Sequence, residues 1–173
     1  MNARRFLIGW GGLTLFFLLG LAVVNHVPSN DARTLLLRPV AGDGADAPGD
    51  YYLMVQYDLG TIELPRVEWD GTAFYPGQSV YVVLARDNDT ARAVQVLAEP
   101  PGSGLFLRGV VTGRTRDRLN VLYGVESFAV PDNARADFDA FPRPFDVRVQ
   151  VDEEGVARVV ALAAGGKTLP ISY

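Results

Sequence analysis

The segment FDVRVQVDEEGVARVVAL, Phe145 to Leu162, admits one kind of local structure. Val147, Val149 and Val151 alternate with Asp146, Arg148 and Gln150. A strand puts every valine on one face and every polar side chain on the other, whereas a helix would scatter the valines around its circumference. Valine is stiff at χ1 and packs well on a pleated surface, which favours the strand again. Glu153-Glu154-Gly155 supplies a turn, so the spacing predicts an antiparallel hairpin joining 145–152 to 156–162.

The same signature recurs upstream. In DYYLMVQYDL, alternation puts Tyr51, Leu53, Val55, Tyr57 and Leu59 on one face, with Gln56 and Asp58 on the other. VEWDGTAFY places Asp70-Gly71 between two β-prone runs, a hairpin signal because a type I′ turn needs positive φ at both central positions. YPGQ has proline and glycine in type II turn order. A further hairpin is predicted from Ser79 to Arg86 and Ala91 to Leu97 around DNDT, with strands at Leu105 to Thr112 and Leu119 to Tyr123. Pro131 to Phe141 lacks alternation and carries Ala134, Ala136 and Ala140, so it reads as a short helix or ordered loop. The expected fold is mainly β, an antiparallel sandwich or small barrel of about seven or eight strands.

One N-terminal transmembrane helix is expected before this domain. Phe6 to Val24 runs nineteen residues without a charge, the length a helix needs to cross a hydrocarbon core about 30 Å thick. A cleaved signal has a shorter apolar region of about 7–15 residues and a small-x-small site, which Ala22-Val23-Val24 does not supply. Arg4 and Arg5 precede the run and no acid does, so the positive-inside rule keeps the N-terminus in the cytoplasm and exports the rest. The organisation is therefore a cytoplasmic segment over 1–5, an anchor over 6–24, a linker over 25–48 and an exported β-rich domain over 49–173. The charge bias implies a single-pass membrane protein with its C-terminal domain extracytoplasmic. Residues 25–48 read as a tether because AGDGADAPG is too small and polar for a core, although Leu35-Leu36-Leu37 interrupts it. On a helical wheel Gly9, Gly12 and Gly20 fall in one sector with Phe16, a helix-packing face that lets another membrane helix approach.

Composition narrows the chemistry. The chain has no cysteine, so neither a disulfide framework nor thiolate metal ligation is available. The single histidine, His26, lies in the tether, which removes a histidine-based triad and a multi-histidine zinc site. Setting Arg4 and Arg5 aside from the 16 basic residues leaves 14 against 20 acidic ones, a net charge near −6 that argues against nucleic-acid binding. No metal and no cofactor is expected.

At GDYYLMVQYDL and LNVLYGVESFAVPD the chain resembles the GDYXXLXY-domain family of bacterial membrane-anchored proteins. The resemblance extends from Gly49 to about Leu162 and includes PGQSVYVVL, LFLRGVV and VDEEGVARVVAL. Met54 stands at the leucine position and Gln56 at that of the second tyrosine, with Tyr57 following. Either Gly49-Asp50-Tyr51 aligns and a bulge precedes Tyr57, or Tyr52 and Tyr57 align and the Gly-Asp pair slips. The usual YFVPEG becomes SFAVPDN, so Phe128, Asp132 and Asn133 depart in part. The resemblance implies a location in a bacterial inner membrane, with the C-terminal domain periplasmic or extracytoplasmic, and a partner in the bilayer, a multi-spanning membrane protein. It also makes Gly49, Asp50, Tyr51, Tyr57, Tyr123, Gly124, Glu126, Phe128 and Pro131 the candidate motif or interface residues.

Glu126 lies in an aromatic and aliphatic setting. Buried, its carboxyl would resist ionisation and serve as a general acid; alternatively it accepts backbone amides or an arginine such as Arg108 or Arg118 and holds the turn after Gly124. The structural reading is favoured, because one carboxylate with no base, nucleophile or metal in its motif is not a catalytic constellation. RGVVTGRTRDR concentrates Arg108, Arg114, Arg116 and Arg118; the favoured reading is the solvated end of a hairpin, partly neutralised by Asp117, and the other is a docking patch for an anionic headgroup or acidic partner. If extended, it sets Arg114, Arg116 and Arg118 on one side. The expected role is binding or assembly with another cell-envelope component, with no catalytic residue assigned. The alternatives are an enzyme acting on envelope polysaccharide, with Asp50, Asp58, Glu63 or Glu68 giving a second carboxylate, and a carrier of an apolar ligand with a lined cavity of at least about 300 Å³.

Overall fold

The computed structural model describes residues 33–40, 51–87 and 90–171. Twelve strands lie among them: β1 (Arg33–Leu37), β2 (Tyr52–Met54), β3 (Thr61–Glu63), β4 (Glu68–Trp69), β5 (Ser79–Asp87), β6 (Thr90–Leu97), β7 (Phe106–Arg114), β8 (Arg118–Leu122), β9 (Ser127–Ala129), β10 (Asp146–Val151), β11 (Ala157–Ala164) and β12 (Lys167–Pro170). One short helix, α1 (Arg135–Asp139), follows a 3₁₀ turn at Asp132–Ala134. Ten strands form one sheet in the order β12-β11-β10-β1-β6-β5-β7-β8-β3, with β4 paired to β6; β2 and β9 form a separate antiparallel ribbon.

The sheet is open, since β12 and β3 end it without pairing with each other. The barrel is thus corrected to an unclosed, largely antiparallel sheet, and seven or eight strands to twelve among the described residues. The additional strands are β1, β12 and pieces of two or three residues, too short to show a period in the sequence. The sheet nevertheless coils around one core. The inward side chains of β1, β5, β7, β8, β10 and β11 belong to a single buried cluster, and the Arg108 N–H of β7 donates to Gly155 O in the β10–β11 turn at 2.8 Å.

Two segments depart from the sequence-based reading. Arg33–Leu37, assigned to the linker, is β1, antiparallel to β10 from Arg33↔Val151 to Leu37↔Val147 and parallel to β6 at Leu36↔Thr90. Leu35 and Leu37 are fully buried there, so two of the three leucines that interrupt the tether are core residues of an inserted strand. Asp70-Gly71 does not make a hairpin. The backbone before it runs as β4, parallel to β6, and the chain then turns with Asp70 Oδ1 accepting the Thr72 N–H at 2.8 Å before Phe74 enters the core.

The remaining hairpins form as read, β5–β6, β7–β8 and β10–β11. In YPGQ the Gln78 N–H closes the turn on Tyr75 O at 3.1 Å, and 131–141 contains the short helix. The anchor over 6–24, with Gly9, Gly12 and Gly20, lies outside the described residues, as do Gly49 and Asp50.

Candidate functional site: a tyrosine clasp

Burial alternates without interruption along 52–59. Leu53, Val55, Tyr57 and Leu59 are buried, while Tyr52, Met54, Gln56 and Asp58 are exposed. The first three residues form β2, which pairs with β9 through Tyr52↔Ala129, Leu53↔Phe128 and Met54↔Ser127. The pairing continues at both ends, with Val130 N–H donating to Tyr51 O at 2.6 Å and Val55 N–H to Glu126 O at 2.7 Å. Alternation therefore brings the two distant stretches, 51–59 and 123–130, face to face.

Side chains then lock them reciprocally. The Tyr57 hydroxyl donates to Val125 O at 2.9 Å, and the Tyr123 hydroxyl donates to Leu59 O at 2.8 Å. Each phenol reaches across to the other stretch and satisfies a carbonyl that would otherwise be costly to bury. Burial holds both hydroxyls above the ordinary tyrosine value, with the Glu126 carboxylate adding to the effect on each.

Glu126 closes the turn between them. Its Oε1 accepts the Tyr123 N–H at 2.6 Å and its Oε2 accepts the Gly124 N–H at 2.8 Å. Gly124 has φ 81°, a conformation that costs an L side chain about 1–2 kcal/mol, so the turn needs glycine there and an acceptor two residues on. The carboxylate meets backbone amides and not Arg108 or Arg118.

Further along the ribbon Phe128 is buried opposite Leu53, and Pro131 O accepts the Ala134 N–H at 2.9 Å to start the path into α1. The Tyr51 hydroxyl donates to Asp139 Oδ2 at 3.0 Å, its ring meets Phe138 edge-on at 6.4 Å, and the Arg135 guanidinium lies 4.5 Å over it. Asp139 and Phe138 carry no sequence signal of this role, because the contact joins residues 88 positions apart.

The four arginines do not gather into one patch. Thr115 N–H donates to Arg118 O at 2.9 Å, so 114–118 is a hairpin turn and not an extended run. Arg114 is in register with buried Leu119 and therefore shares its face, where its guanidinium lies 4.9 Å over Trp69. Arg118 faces the opposite way. Arg108 is exposed on the outer face of β7 and Arg116 sits at the tip. Of the proposed second carboxylates, Asp58 accepts the Leu59 N–H at 2.7 Å, Glu63 pairs with Arg66 at 2.7 Å and Glu68 is exposed on β4. A cleft of about 530 Å³ opens elsewhere, lined by Arg33, Ser103, Phe106, Asp152 and Glu153 among others. Its charged lining differs from the apolar one a lipid carrier would need.

The chain matches the GDYXXLXY protein family over residues 14–162. It belongs to that family. No curated protein and no solved structure matches it. The two stretches that carry the GDYXXLXY resemblance are the two halves of the clasp. Unbroken alternation from Tyr52 to Leu59 leaves no room for a bulge before Tyr57. Tyr52, Val55 and Tyr57 keep the Tyr-x-x-Leu-x-Tyr spacing, with valine in place of leucine.

The clasp makes a graded prediction at Glu126. Glu126→Gln retains an acceptor for one N–H and should cost little, whereas Glu126→Leu leaves the Tyr123 and Gly124 amides unpaired and should cost roughly 1–3 kcal/mol. Thermal melts of the two variants check it; equal, negligible shifts in both would remove Glu126 from the fold's support.

Proposed function

We propose that this GDYXXLXY protein is anchored in the inner membrane by Phe6 to Val24, with Arg4 and Arg5 in the cytoplasm, and that its exported β domain assembles with another cell-envelope component, a multi-spanning membrane protein. The charge-free run and the charge bias before it support the anchor and its orientation. The observation that carries the assembly reading is the ribbon surface. Tyr52 is 55% and Met54 72% exposed on the same face of β2, and the clasp holds that strand rigidly. Single exposed apolar residues are ordinary, but a tyrosine and a methionine together on one face of an ordered strand have the make-up of an interface core, in which aromatic residues and methionine are enriched. The glycine-bearing face of the anchor adds a second contact, and two weak contacts on one chain reinforce each other through effective concentration.

A reporter fused after Tyr173 should be active only in exported form. Affinity capture of the full-length protein from detergent should bring down a membrane partner. Changing Gly9, Gly12 and Gly20 to leucine should preserve insertion and reduce that capture. A cytoplasmic C-terminus, or a full-length protein that captures nothing, would overturn the reading.

A further inference from the structure

The outer face of the β7–β8 hairpin breaks the alternation rule. On a half-buried strand the outward positions should be polar, yet Val110 and Leu122 stand outward, 44% and 48% exposed, and they are direct cross-strand partners. Partners on one face of an antiparallel pair have Cβ atoms about 5 Å apart, so the two side chains form one apolar spot. Arg108, Thr112, Arg118 and Asn120 are the other exposed outward positions, while Phe106 at the start of that face of β7 is buried. Thr112 and Asn120 are joined across the strands, Thr112 Oγ1 to Asn120 O at 3.4 Å, and Asn120 Oδ1 accepts from Thr61 Oγ1 at 3.3 Å.

The charge on this face is one-signed in an acidic domain. Neither Arg108 nor Arg118 has an ion-pair partner among the described residues. The nearest acid across the sheet, Glu63, is in register with Arg118, but its carboxylate is held by Arg66 at 2.7 Å. Asp117 belongs to the hairpin turn. Six residues of strand at about 3.3 Å each separate the level of Arg108 from that of Arg118, so the two guanidiniums flank the apolar spot over roughly 20 Å.

Resting on the assembly reading above, we propose that this face is the docking surface for an acidic polypeptide segment of the partner. The segment presents one aliphatic or aromatic side chain to Val110 and Leu122, with carboxylates on either side facing Arg108 and Arg118. Charge complementarity selects the acidic occupant, and the apolar pair between the cations selects a polypeptide over a bare anion or headgroup, which would leave that pair uncovered. A hydrogen-bonded sheet face costs little ordering on binding, so the contact loses less to entropy than a loop would.

The test places the photo-crosslinking residue benzoyl-phenylalanine at Leu122 of the full-length protein in cells, with Arg158 on the exposed outer face of β11 as the control position. Expected is a cross-link at 122, and not at 158, to a partner segment in which acidic residues flank an apolar one, as mapped by mass spectrometry. Combining Arg108→Glu with Arg118→Glu should lower its yield about tenfold, with an unchanged melting temperature. Cross-links to phospholipid or glycan, to a segment without acids, or with equal yield from both positions would overturn the proposal. So would a charge-reversed pair with unchanged yield. No cross-link at 122 while a partner still co-purifies sinks this surface alone; no co-purifying partner at all sinks the assembly reading with it.

Discussion

Replacing Gly109 with valine is expected to unfold the domain at temperatures where the native protein is folded. Gly109 lies on the inward face of β7, where even a Cβ would meet Val121 Cγ1 at 2.3 Å, Leu122 O at 2.9 Å and Tyr123 Cδ1 at 3.1 Å. None of these neighbours yields readily. Val121 is fully buried and β-branched, with little χ1 freedom, Leu122 O is backbone, and Tyr123 is fixed by its hydrogen bond to Leu59 O. Overpacking a core costs about 1–3 kcal/mol where side chains can adjust; here backbone must move, and the loss should reach about 3 kcal/mol or more against a typical total of about 5–15 kcal/mol. Gly155→Ala gives a second reading of close approach, since its Cβ would lie 2.5 Å from Phe106 Cε2 and 3.0 Å from Arg108 N at φ +80°. Gly165→Ala is the control: φ is +55° but nothing lies within 4 Å, so only backbone strain of about 1–2 kcal/mol applies. Thermal melts of the three variants decide the matter. Melting of Gly109→Val within a few degrees of the native protein would mean that β7 and β8 are not packed as described.

What the sequence showed of this fold followed from how local each contact is. β10 and β11 were legible because Val147, Val149 and Val151 alternate over a full strand and the turn at 153–155 is contiguous with them. β1 was not, because its buried pair is Leu35 and Leu37 with Leu36 between them, and three identical apolar residues carry no period. Its partners lie more than fifty residues away at Thr90 and at 147–151. Asp70-Gly71 misled for a related reason. A turn dipeptide specifies a reversal and says nothing about whether the strands beside it pair with each other, and β4 finds β6 instead. Within the clasp, the placement of Glu126 against nearby amides was legible, since its partners are two and three residues away. The crossed tyrosine bonds were not, since each spans more than sixty residues. For the arginines, the hairpin-end reading holds, and the conditional extension of alternation through 114–118 fails at the turn.

The clasp should also make the fold sensitive to alkali. Burial raises the Tyr57 hydroxyl above its ordinary value of 10.0, with the Glu126 carboxylate adding to the effect. Tyr123 is raised by burial first, then by Glu126 and Asp58. Because the folded values lie above the unfolded one, the hydroxyls' contribution to stability is fully present below about pH 10 and declines as the pH rises beyond it toward the folded values, since the unfolded chain releases these protons first. Each tyrosine should then remove about 1.4 kcal/mol per pH unit above 10. Urea unfolding at pH 8, 9.5, 10.5 and 11 measures the slope in a chain with no cysteine and with Lys167 as its one lysine. Tyr57→Phe and Tyr123→Phe should each lose about 0.5–1.5 kcal/mol at pH 8, the worth of one hydrogen bond, and each should flatten the alkaline limb by one proton's share. Tyr51, half-buried and raised chiefly by its hydrogen bond to Asp139, should alter that limb far less when changed to phenylalanine. If both clasp variants keep the native slope, the buried hydroxyls are not the groups that titrate, and the two stretches are held by packing alone.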